Sequence, residues 1–269
     1  MSKLNRSERL IMMMRLLSER PGELIPLSHL VDQFDAAKST ISEDLALIKE
    51  TLEQSGSGLL KTHAGAIGGV QYWPLPSPQE AQETLEQLCK LLSDPARILP
   101  GGFVYLTDIL TNPAWSASVG AIFAGRFLAA EPDVVLTVET KGIPLAQMVS
   151  RALGVPMAFA RREGRVTDGP SFSIHYISGS GQRINTMAVG VRALKQNARV
   201  LIVDDFMRAG ATARGMIDLV TERGASVVGV GILVTTSEPQ RKRVDDYVSL
   251  LTLEAANAEE RYVRIRPSL

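Results

Sequence analysis

Apolar residues recur three and four positions apart in three stretches near the N-terminus, which is the spacing of one buried helix face. These stretches cover residues 7–18, 27–34 and 39–54. Two short runs of β-prone residues follow at 58–63 and 70–73, joined by a glycine-rich segment. Three helices and a β-hairpin make up a winged helix, so the pattern predicts such a domain at residues 1–73. Ser28 is expected to cap the second helix.

The apolar pattern changes after residue 97, where short β-prone runs alternate with helical stretches. The predicted strands are 103–106, 134–138, 157–159, 200–203 and 227–234, and the predicted helices are 117–128, 144–153 and 213–223. This alternation predicts a parallel sheet covered by helices on both faces. Residues 74–96 begin with Pro74, Pro76 and Pro78, continue with a helical pattern at 79–93, and are predicted to be a linker and helix. The predicted fold class is therefore α/β, with a winged helix before a parallel-sheet domain at 97–269.

The composition excludes some classes of protein but does not identify a function. The 269 residues are 45% apolar and 22% charged with zero net charge, which describes an ordinary globular protein without a global attraction to nucleic acid or membrane. A single cysteine, Cys89, excludes an internal disulfide and fits a cytoplasmic protein; we expect it to pack a helix. No apolar run approaches the ~18 residues of a membrane span, and we recognise no signal peptide.

Residues 200–212 carry the most informative chemistry in the chain. An apolar run leads into Asp204 and Asp205, and a loop of mostly small residues then precedes a helical pattern. Ionised carboxylates accept hydrogen bonds from ribose hydroxyls or bind Mg2+. The N–H groups and positive dipole end at a helix start suit a phosphate. This order therefore favours a ligand that carries both a sugar and a phosphate.

The segment resembles the phosphoribosyl pyrophosphate (PRPP) motif of the type I phosphoribosyltransferases, and its spacing matches without insertion. The resemblance implies that Asp204 and Asp205 hold the ribose hydroxyls of PRPP and that Ala209 to Thr212 hold its 5′-phosphate. Ala209 stands where the enzymes often carry Thr, which removes one hydroxyl donor. The expected PRPP-binding residues of this motif are Asp204, Asp205, Phe206, Met207, Arg208, Ala209, Gly210, Ala211 and Thr212.

A second candidate segment follows the strand pattern at 134–138. Ligands of an open α/β sheet bind beyond the carboxyl ends of its strands. Thr140, Lys141 and Gly142 stand at such a place, where Lys141 supplies a cation and Gly142 lets the backbone approach a ligand closely. A loop at the equivalent place holds pyrophosphate in the phosphoribosyltransferases. The resemblance therefore implies that these three residues hold the pyrophosphate of PRPP.

Two glycine-containing stretches are less specific. Residues 161–187 are polar and are expected to form a mobile lid or a β-hairpin over the site. We identify no base-recognition or catalytic residue there, so no catalytic residue is predicted. The pair Gly229-x-Gly231 lies inside a strand pattern and is too short for a dinucleotide-binding fingerprint.

The winged helix offers candidates for DNA contact at the start of its third helix. Lys38, Ser39, Thr40 and Ser42 stand there, and their spacing puts several of them on an exposed face opposite the apolar positions. Arg6 belongs to a first stretch of twenty residues with a surplus of positive charge. Residues 1–73 contain eight Lys/Arg and nine Asp/Glu. A basic patch must therefore come from the positions of these residues, since phosphate contacts depend on local cations. From composition alone, DNA binding and protein interaction remain equally open.

The order of the two domains is similar to that of the purine operon repressors of Gram-positive bacteria. The most specific matching segments are 101–110, 140–144, 176–180 and 204–210. The resemblance implies a homodimer that binds operator DNA upstream of purine genes. It also implies that the second domain senses PRPP as an inducer without catalysing transfer, with Mg2+ as a candidate companion ion and (p)ppGpp as a competing ligand of the same site.

Two alternatives stay open from the residues themselves. One is a purine (xanthine-like) phosphoribosyltransferase with an appended regulatory domain, since every phosphate-binding segment is present. The other is a winged-helix module for protein interaction. A transcriptional repressor with a non-catalytic, nucleotide-type effector domain remains the preferred hypothesis.

Overall fold

A computed structural model describes residues 4–65, 68–162, 169–177, 184–257 and 259–268. The chain divides into two compact units, one of residues 1–77 with 151–154 and one of residues 78–150 with 155–269.

The N-terminal unit contains the three predicted helices and a small antiparallel sheet. Its helices are α1 (Arg6–Glu19), α2 (Leu27–Phe34) and α3 (Lys38–Ser55). Its strands are β1 (Ile25–Pro26), β2 (Leu59–His63) and β3 (Gly69–Trp73), in the order β1-β3-β2. The prediction of three helices and a hairpin is confirmed, whereas β1 was not predicted because two residues are too short for a periodic signal.

A side-chain cap stabilises the start of α1, whereas the start of α2 has none. The Asn5 side chain accepts a hydrogen bond from the Glu8 N–H, and Glu8 accepts one from the Asn5 N–H, so α1 begins with a capping box. The predicted cap at Ser28 is wrong. Helix α2 begins at Leu27 with Pro26 as its N-cap, and Ser28 already lies inside the first turn.

A buried cluster of charges joins α1 to α3. The Asp44 carboxylate on α3 is 1% exposed and accepts hydrogen bonds from Nε of Arg9 and Nε of Arg6. The Arg9 side chain is 9% exposed, whereas that of Arg6 is 60% exposed. The apolar faces of the helices pack around this cluster and form the core of the unit, which includes Met13, Leu17, Ile25, Leu30, Ile41 and Leu45.

The second unit is built on a six-stranded sheet with the order β13-β12-β11-β10-β6-β7. Its strands are β6 (Val134–Val138), β7 (Met157–Ala160), β10 (Arg199–Met207), β11 (Ser226–Thr236), β12 (Val248–Asn257) and β13 (Tyr262–Pro267). Neighbouring strands are parallel, except that β13 runs antiparallel to β12. The predicted parallel sheet is thereby confirmed, with one antiparallel edge strand.

Helices and two small hairpins surround this sheet. The helices are α4 (Pro78–Leu92), α5 (Thr107–Thr111), α6 (Pro113–Phe127), α7 (Gly142–Leu153) and α8 (Ala211–Glu222). The hairpins are β4 (Ile98–Leu99) with β5 (Phe103–Val104), and β8 (Ser171–Ile177) with β9 (Ile184–Gly190). Cys89 is buried on α4, as predicted, and burial raises the pKa of its thiol to about 11.

The glycine pair that was set aside as a cofactor signal has a packing role. A β-carbon at Gly229 would lie 2.5 Å from the ring of Phe127, and one at Gly231 would lie 2.8 Å from the ring of Phe123. Both rings belong to α6, which packs directly on β11. The two glycines therefore make room for a helix rather than for a ligand.

Candidate functional site

The site candidates meet at one edge of the sheet of the second unit. Strand β6 leads through α7 to β7 on one side, and the chain then returns to β10 on the other side of β6. The residues after β6 and those at the end of β10 therefore face the crevice at which the strand order reverses. Ligands of open α/β sheets bind at such a place. Thr140, Lys141 and Gly142 thus lie beside the motif that begins at Asp204, as the sequence predicted.

The acidic pair lies within a strand, which corrects its predicted position after one. Strand β10 continues to Met207 because Asp204 pairs with Ile232 and Phe206 with Val234 of β11. Successive strand residues point to opposite faces. Asp204 is buried, with an exposure of 5%, while the Asp205 side chain lines the mouth of the site with Lys141.

The environment of the pair controls its ionisation. Burial raises the pKa of Asp204 well above its ordinary value, and the charge of Asp205 raises it further. Burial also raises the pKa of Asp205, whereas its hydrogen bond with Asp204 and the nearby charge of Lys141 lower it. Asp204 therefore holds a proton more readily than Asp205, and a ligand that donates hydrogen bonds to Asp204 favours the ionised form.

Gly142 is required by close packing under the second candidate segment. A β-carbon at this position would overlap Oγ1 of Thr137 and lie 3.2 Å from Oδ1 of Asp204. Oγ1 of Thr137 is buried without a hydrogen-bond partner among the described residues. The peptide bond between Glu139 and Thr140 is cis. Because Gly142 lies so close to Asp204, the main chain of this segment lies against the buried carboxylate. Thr137 is a site residue that no sequence pattern singled out.

The loop after β10 forms the floor of a pocket in the second unit. The β10–α8 loop comprises residues 208–210, and Gly210 has φ 82° as the N-cap of α8. The first N–H groups of a helix have no partner within the helix, so they are open to an anion. The pocket has a volume of about 630 Å³. The predicted residues that line it are Asp204, Phe206, Met207, Arg208, Ala209, Gly210, Ala211 and Thr212.

Aromatic and cationic side chains form one wall of the site. The ring of Phe103 lies 5.5 Å from that of Phe206, and the guanidinium of Arg208 lies 6.0 Å from the Phe103 ring. Phe103 is 42% exposed and also lines a neighbouring cavity of about 320 Å³ with Lys141 and Asp205. The sequence prediction placed Phe103 in a strand and did not assign it to the site, since about one hundred residues separate it from Phe206.

Another unpredicted contribution comes from the β11–β12 loop, residues 237–247. Nζ of Lys242 donates to the carbonyl oxygens of Arg208 at 2.6 Å and Thr236 at 2.7 Å. The Arg243 N–H donates to the carbonyl oxygen of Ala209 at 2.9 Å. This loop therefore holds the β10–α8 loop from outside the pocket, and Pro239 joins the pocket lining.

The predicted lid or hairpin at 161–187 contains a hairpin. Strands β8 and β9 pair from Ser171–Gly190 to Ile177–Ile184 and pack on α8. Residues 163–168 and 178–183, which include the Ser178-Gly179-Ser180-Gly181 run, lie outside the described residues. Tyr176 packs against Gly215 of α8, where a β-carbon would lie 3.1 Å from its ring. The hairpin is thus anchored to the helix that begins at the pocket.

In the N-terminal unit, the predicted DNA contacts lie on one exposed helix end. Lys38, Ser39 and Ser42 are exposed at the start of α3, and Thr40 is half-buried. The Ser42 hydroxyl donates to the Lys38 carbonyl oxygen at 2.9 Å. Arg6 is exposed but forms an ion pair with Asp44 at 3.2 Å. Lys38 and Ser42 also border a cavity of about 990 Å³ between α2, α3 and the β2–β3 hairpin, to which Lys49 adds another cation.

Comparisons with known proteins identify both parts of the chain. Residues 5–74 match the family described as bacterial purine repressor, N-terminal, and residues 106–263 match the phosphoribosyl transferase domain family. The yeast adenine phosphoribosyltransferase structure from Saccharomyces cerevisiae superposes with a TM-score of 0.54 at 20% identity, covering 62% of this chain and 98% of that chain. This likeness confirms the predicted fold of the second domain.

Relatives cover nearly the full length. The chain is 47% identical to the purine biosynthesis transcriptional repressor of Bacillus subtilis, over 98% of this chain and 93% of the relative. It is 36% identical to the purine biosynthesis transcriptional activator of Lactococcus lactis subsp. lactis, over 98% and 97%. A xanthine phosphoribosyltransferase of Oenococcus oeni is 39% identical over 51% of this chain and 72% of the enzyme.

No helix among the described residues is long and apolar enough to cross a bilayer.

The resemblance predicted from the sequence is confirmed by the two matched domains and by the full-length relatives. The chain belongs to the bacterial purine biosynthesis transcriptional regulators, in which an N-terminal DNA-binding domain precedes a phosphoribosyl transferase domain.

Proposed function

We propose that the protein is a cytoplasmic, dimeric repressor of purine biosynthesis genes whose operator binding is relieved by PRPP. The observation that carries the proposal is the meeting of two segments whose chemistry suits anions and an acidic pair at the carboxyl ends of the same strands. The repressor named among the relatives is more similar than the activator, at 47% against 36% identity. This difference favours repression as the sign of regulation.

The geometry supports PRPP as the effector because each part of that molecule has a chemically matched place. The 5′-phosphate would bind the N–H groups at the start of α8, and the ribose hydroxyls would donate to Asp204 and Asp205. The pyrophosphate would bind Thr140 to Gly142, with the Lys141 ammonium group supplying charge. PRPP would relieve repression only by binding more tightly to the form that releases DNA.

Mg2+ fits this site as a companion of the ligand rather than as a resident ion. Among the described residues, no group of three or more His, Cys, Asp or Glu side chains could hold a metal. Mg2+ is commonly bound through one or two carboxylates together with ligand phosphates and water. Asp204 and Asp205 provide that number of carboxylates, so we propose that Mg2+ enters with the pyrophosphate of PRPP.

A (p)ppGpp molecule would compete for the same place, since it also combines ribose, phosphate groups and a base. The faces of Phe103 and Phe206 offer stacking surface beside the β10–α8 loop. Competition between the two ligands follows from the shared phosphate and ribose positions. A displacement titration of PRPP with (p)ppGpp tests this part of the proposal, and simultaneous binding of both ligands would contradict it.

Operator DNA would bind the exposed end of α3. Replacing Lys38 or Arg6 by Ala is expected to weaken DNA binding for all sequences and to reduce the slope of its salt dependence by about one per lost phosphate contact. Lys195, which is exposed in the second unit, provides a control substitution of the same type. An unchanged salt slope in the Lys38 and Arg6 variants would contradict this docking.

An enzymatic function is the second candidate, and the similarity to xanthine phosphoribosyltransferase over half of the chain favours testing it. Pyrophosphate release from PRPP, Mg2+ and a purine base would establish catalysis. We propose that the domain binds without transferring. The departure at Ala209 and the absence of an identifiable catalytic side chain among the described residues 161–162, 169–177 and 184–187 support this choice.

The central experiment is an anisotropy titration of a purine-gene promoter duplex with and without PRPP. Wild-type protein should bind the duplex and release it as PRPP is added. A variant with Asp204→Asn and Asp205→Asn should bind the duplex normally and ignore PRPP, whereas Asp218→Asn, a carboxylate change on the surface of α8, should respond as wild type. Loss of DNA binding in a folded double variant would refute the separation of sensing from DNA contact.

A further inference from the structure

We propose that Lys242 and Arg243 of the β11–β12 loop are positioning residues that orient the β10–α8 loop for the phosphate end of the ligand. The proposal rests on the proposed function, because it concerns the affinity of that same site. It adds residues that no motif in the sequence assigns, nearly forty positions beyond the acidic pair.

Lys242 makes a convergent set of hydrogen bonds behind the loop. Its ammonium donates to the carbonyl oxygens of Arg208 at 2.6 Å and Thr236 at 2.7 Å, and to the Thr236 hydroxyl at 3.2 Å. These three acceptors match the three N–H donors of an ammonium group. The Lys242 ammonium group is therefore engaged in hydrogen bonds to main-chain carbonyl groups and a hydroxyl group, and it is not a free cation in solvent.

Arg243 fixes the next peptide group from the same side. Its main-chain N–H donates to the carbonyl oxygen of Ala209, and its guanidinium donates to the carbonyl oxygen of Ile177 at 2.9 Å. It therefore joins the β10–α8 loop to the end of β8. Two consecutive carbonyl groups, those of Arg208 and Ala209, are held by the β11–β12 loop.

This arrangement decides where the N–H groups of the loop point. In a planar trans peptide the C=O of one residue and the N–H of the next point in opposite directions. Because the Arg208 and Ala209 carbonyl groups point toward Lys242 and Arg243, the N–H groups of Ala209 and Gly210 point away from them. Both of these residues line the pocket at the start of α8. The Lys242 ammonium group and the main-chain N–H of Arg243 thus set the orientation of the donors that a phosphate needs.

Electrostatics reinforce the assignment to Lys242. Burial lowers the pKa of its ammonium, an effect that the nearby Arg208 guanidinium strengthens and the Glu238 carboxylate opposes. An anionic ligand on the other side of the β10–α8 loop would stabilise the charged ammonium at short range. The orientation of the loop N–H groups and the positive charge of Lys242 therefore both favour the binding of a phosphate.

The test compares two parts of the ligand in the full-length protein. Titrations by calorimetry would use PRPP, ribose 5-phosphate and inorganic pyrophosphate with wild type, Lys242→Met, Lys242→Arg and the control Lys195→Met. Lys242→Met should weaken ribose 5-phosphate and PRPP binding about tenfold, or about 1.4 kcal/mol, and leave pyrophosphate within about twofold. Lys242→Arg should recover part of the loss, because it restores a cationic donor, and Lys195→Met should bind as wild type.

The outcomes separate this proposal from the one on which it rests. Wild type that binds no PRPP would refute the proposed function together with the positioning role. Wild type that binds PRPP while Lys242→Met retains its full affinity for ribose 5-phosphate would refute only the positioning role. Equal losses for ribose 5-phosphate and pyrophosphate would also refute it, because they indicate general structural damage. The absence of any recovery in a folded Lys242→Arg variant would refute it as well, because a cationic donor at this position would then have no effect.

Discussion

The buried carboxylate of Asp44 predicts unequal roles for the two arginines that donate to it. Arg9 and Asp44 are both at least nine-tenths buried, whereas Arg6 is 60% exposed. Replacing Arg9 by Met would leave Asp44 buried with only a solvent-exposed partner. The same replacement of Arg6 would remove a partner that is largely exposed to water and would leave the buried Arg9–Asp44 pair in place. The two substitutions are therefore matched in chemistry and differ in burial.

The expected magnitudes follow from this difference. Breaking a buried ion pair by removing one partner costs about 3–5 kcal/mol in the free energy of unfolding. An exposed pair contributes about 0.2–1 kcal/mol. Because a small domain is stable by only about 5–15 kcal/mol, Arg9→Met should remove a large fraction of the stability of the N-terminal unit. Arg6→Met should leave the unit folded and reduce its affinity for operator DNA.

Hydrogen–deuterium exchange of the full chain measures both effects locally. Peptides from α1 and α3 should lose protection strongly in Arg9→Met and only slightly in Arg6→Met, while peptides from β10 and β11 in the second unit should exchange as in wild type. A DNA titration of the same samples supplies the functional comparison. Equal loss of protection in the two variants, or a milder effect in Arg9→Met, would refute the assignment of the stabilising pair to Arg9 and Asp44.

Three further predictions concern buried groups of the second unit. Asp204→Asn should raise the melting temperature at neutral pH, because a carboxyl group whose pKa is raised in the folded protein stabilises the fold below its unfolded pKa of about 3.9 and loses that contribution as the pH rises. The gain in melting temperature should therefore be larger at pH 8 than at pH 5, and a gain that shrinks as the pH rises would contradict the raised pKa. Gly142→Ala should lower the free energy of unfolding by about 1–3 kcal/mol, because its β-carbon would overlap Oγ1 of Thr137, and adding Thr137→Ala should restore much of that loss. A double variant that is no more stable than Gly142→Ala would contradict the packing argument. Cys89, with a thiol pKa of about 11, should react with iodoacetamide far more slowly in the native than in the unfolded protein at pH 8, and equal rates would contradict its burial.

Much of the fold could be predicted from local patterns. The bounds of α2 and β6 agree with the prediction at both ends because their apolar positions, turns and breaks lie within the same short stretch. By contrast, the prediction missed β12 and β13. Strand β12 mixes apolar residues with Ser249, Thr252 and Glu254, and its place in the sheet depends on pairing with β11 and β13.

The candidate site shows the same division between local and long-range information. The acidic pair and the glycine at 142 could be recognised because their chemistry is contained in contiguous motifs. Thr137 looked like any residue of a buried strand, and its hydroxyl is significant only because Asp204 and Gly142 lie against it. Lys242 could not be recognised from the sequence, since its contact with the site is a hydrogen bond to Arg208, 34 residues earlier in the chain.

The location of Asp204 and Asp205 within β10 has a consequence for how a signal starts. Both carboxylates are attached to a strand that pairs with β6 up to Ile202 and with β11 up to Met207, so their backbone is held by the sheet before any ligand arrives. A binding site that is held in place in this way loses little conformational entropy when a ligand binds. For the ligand proposed above, occupancy of the site should therefore follow the ligand concentration without a prior rearrangement of the strand, and any change of shape on binding should lie in the loops that meet the strand.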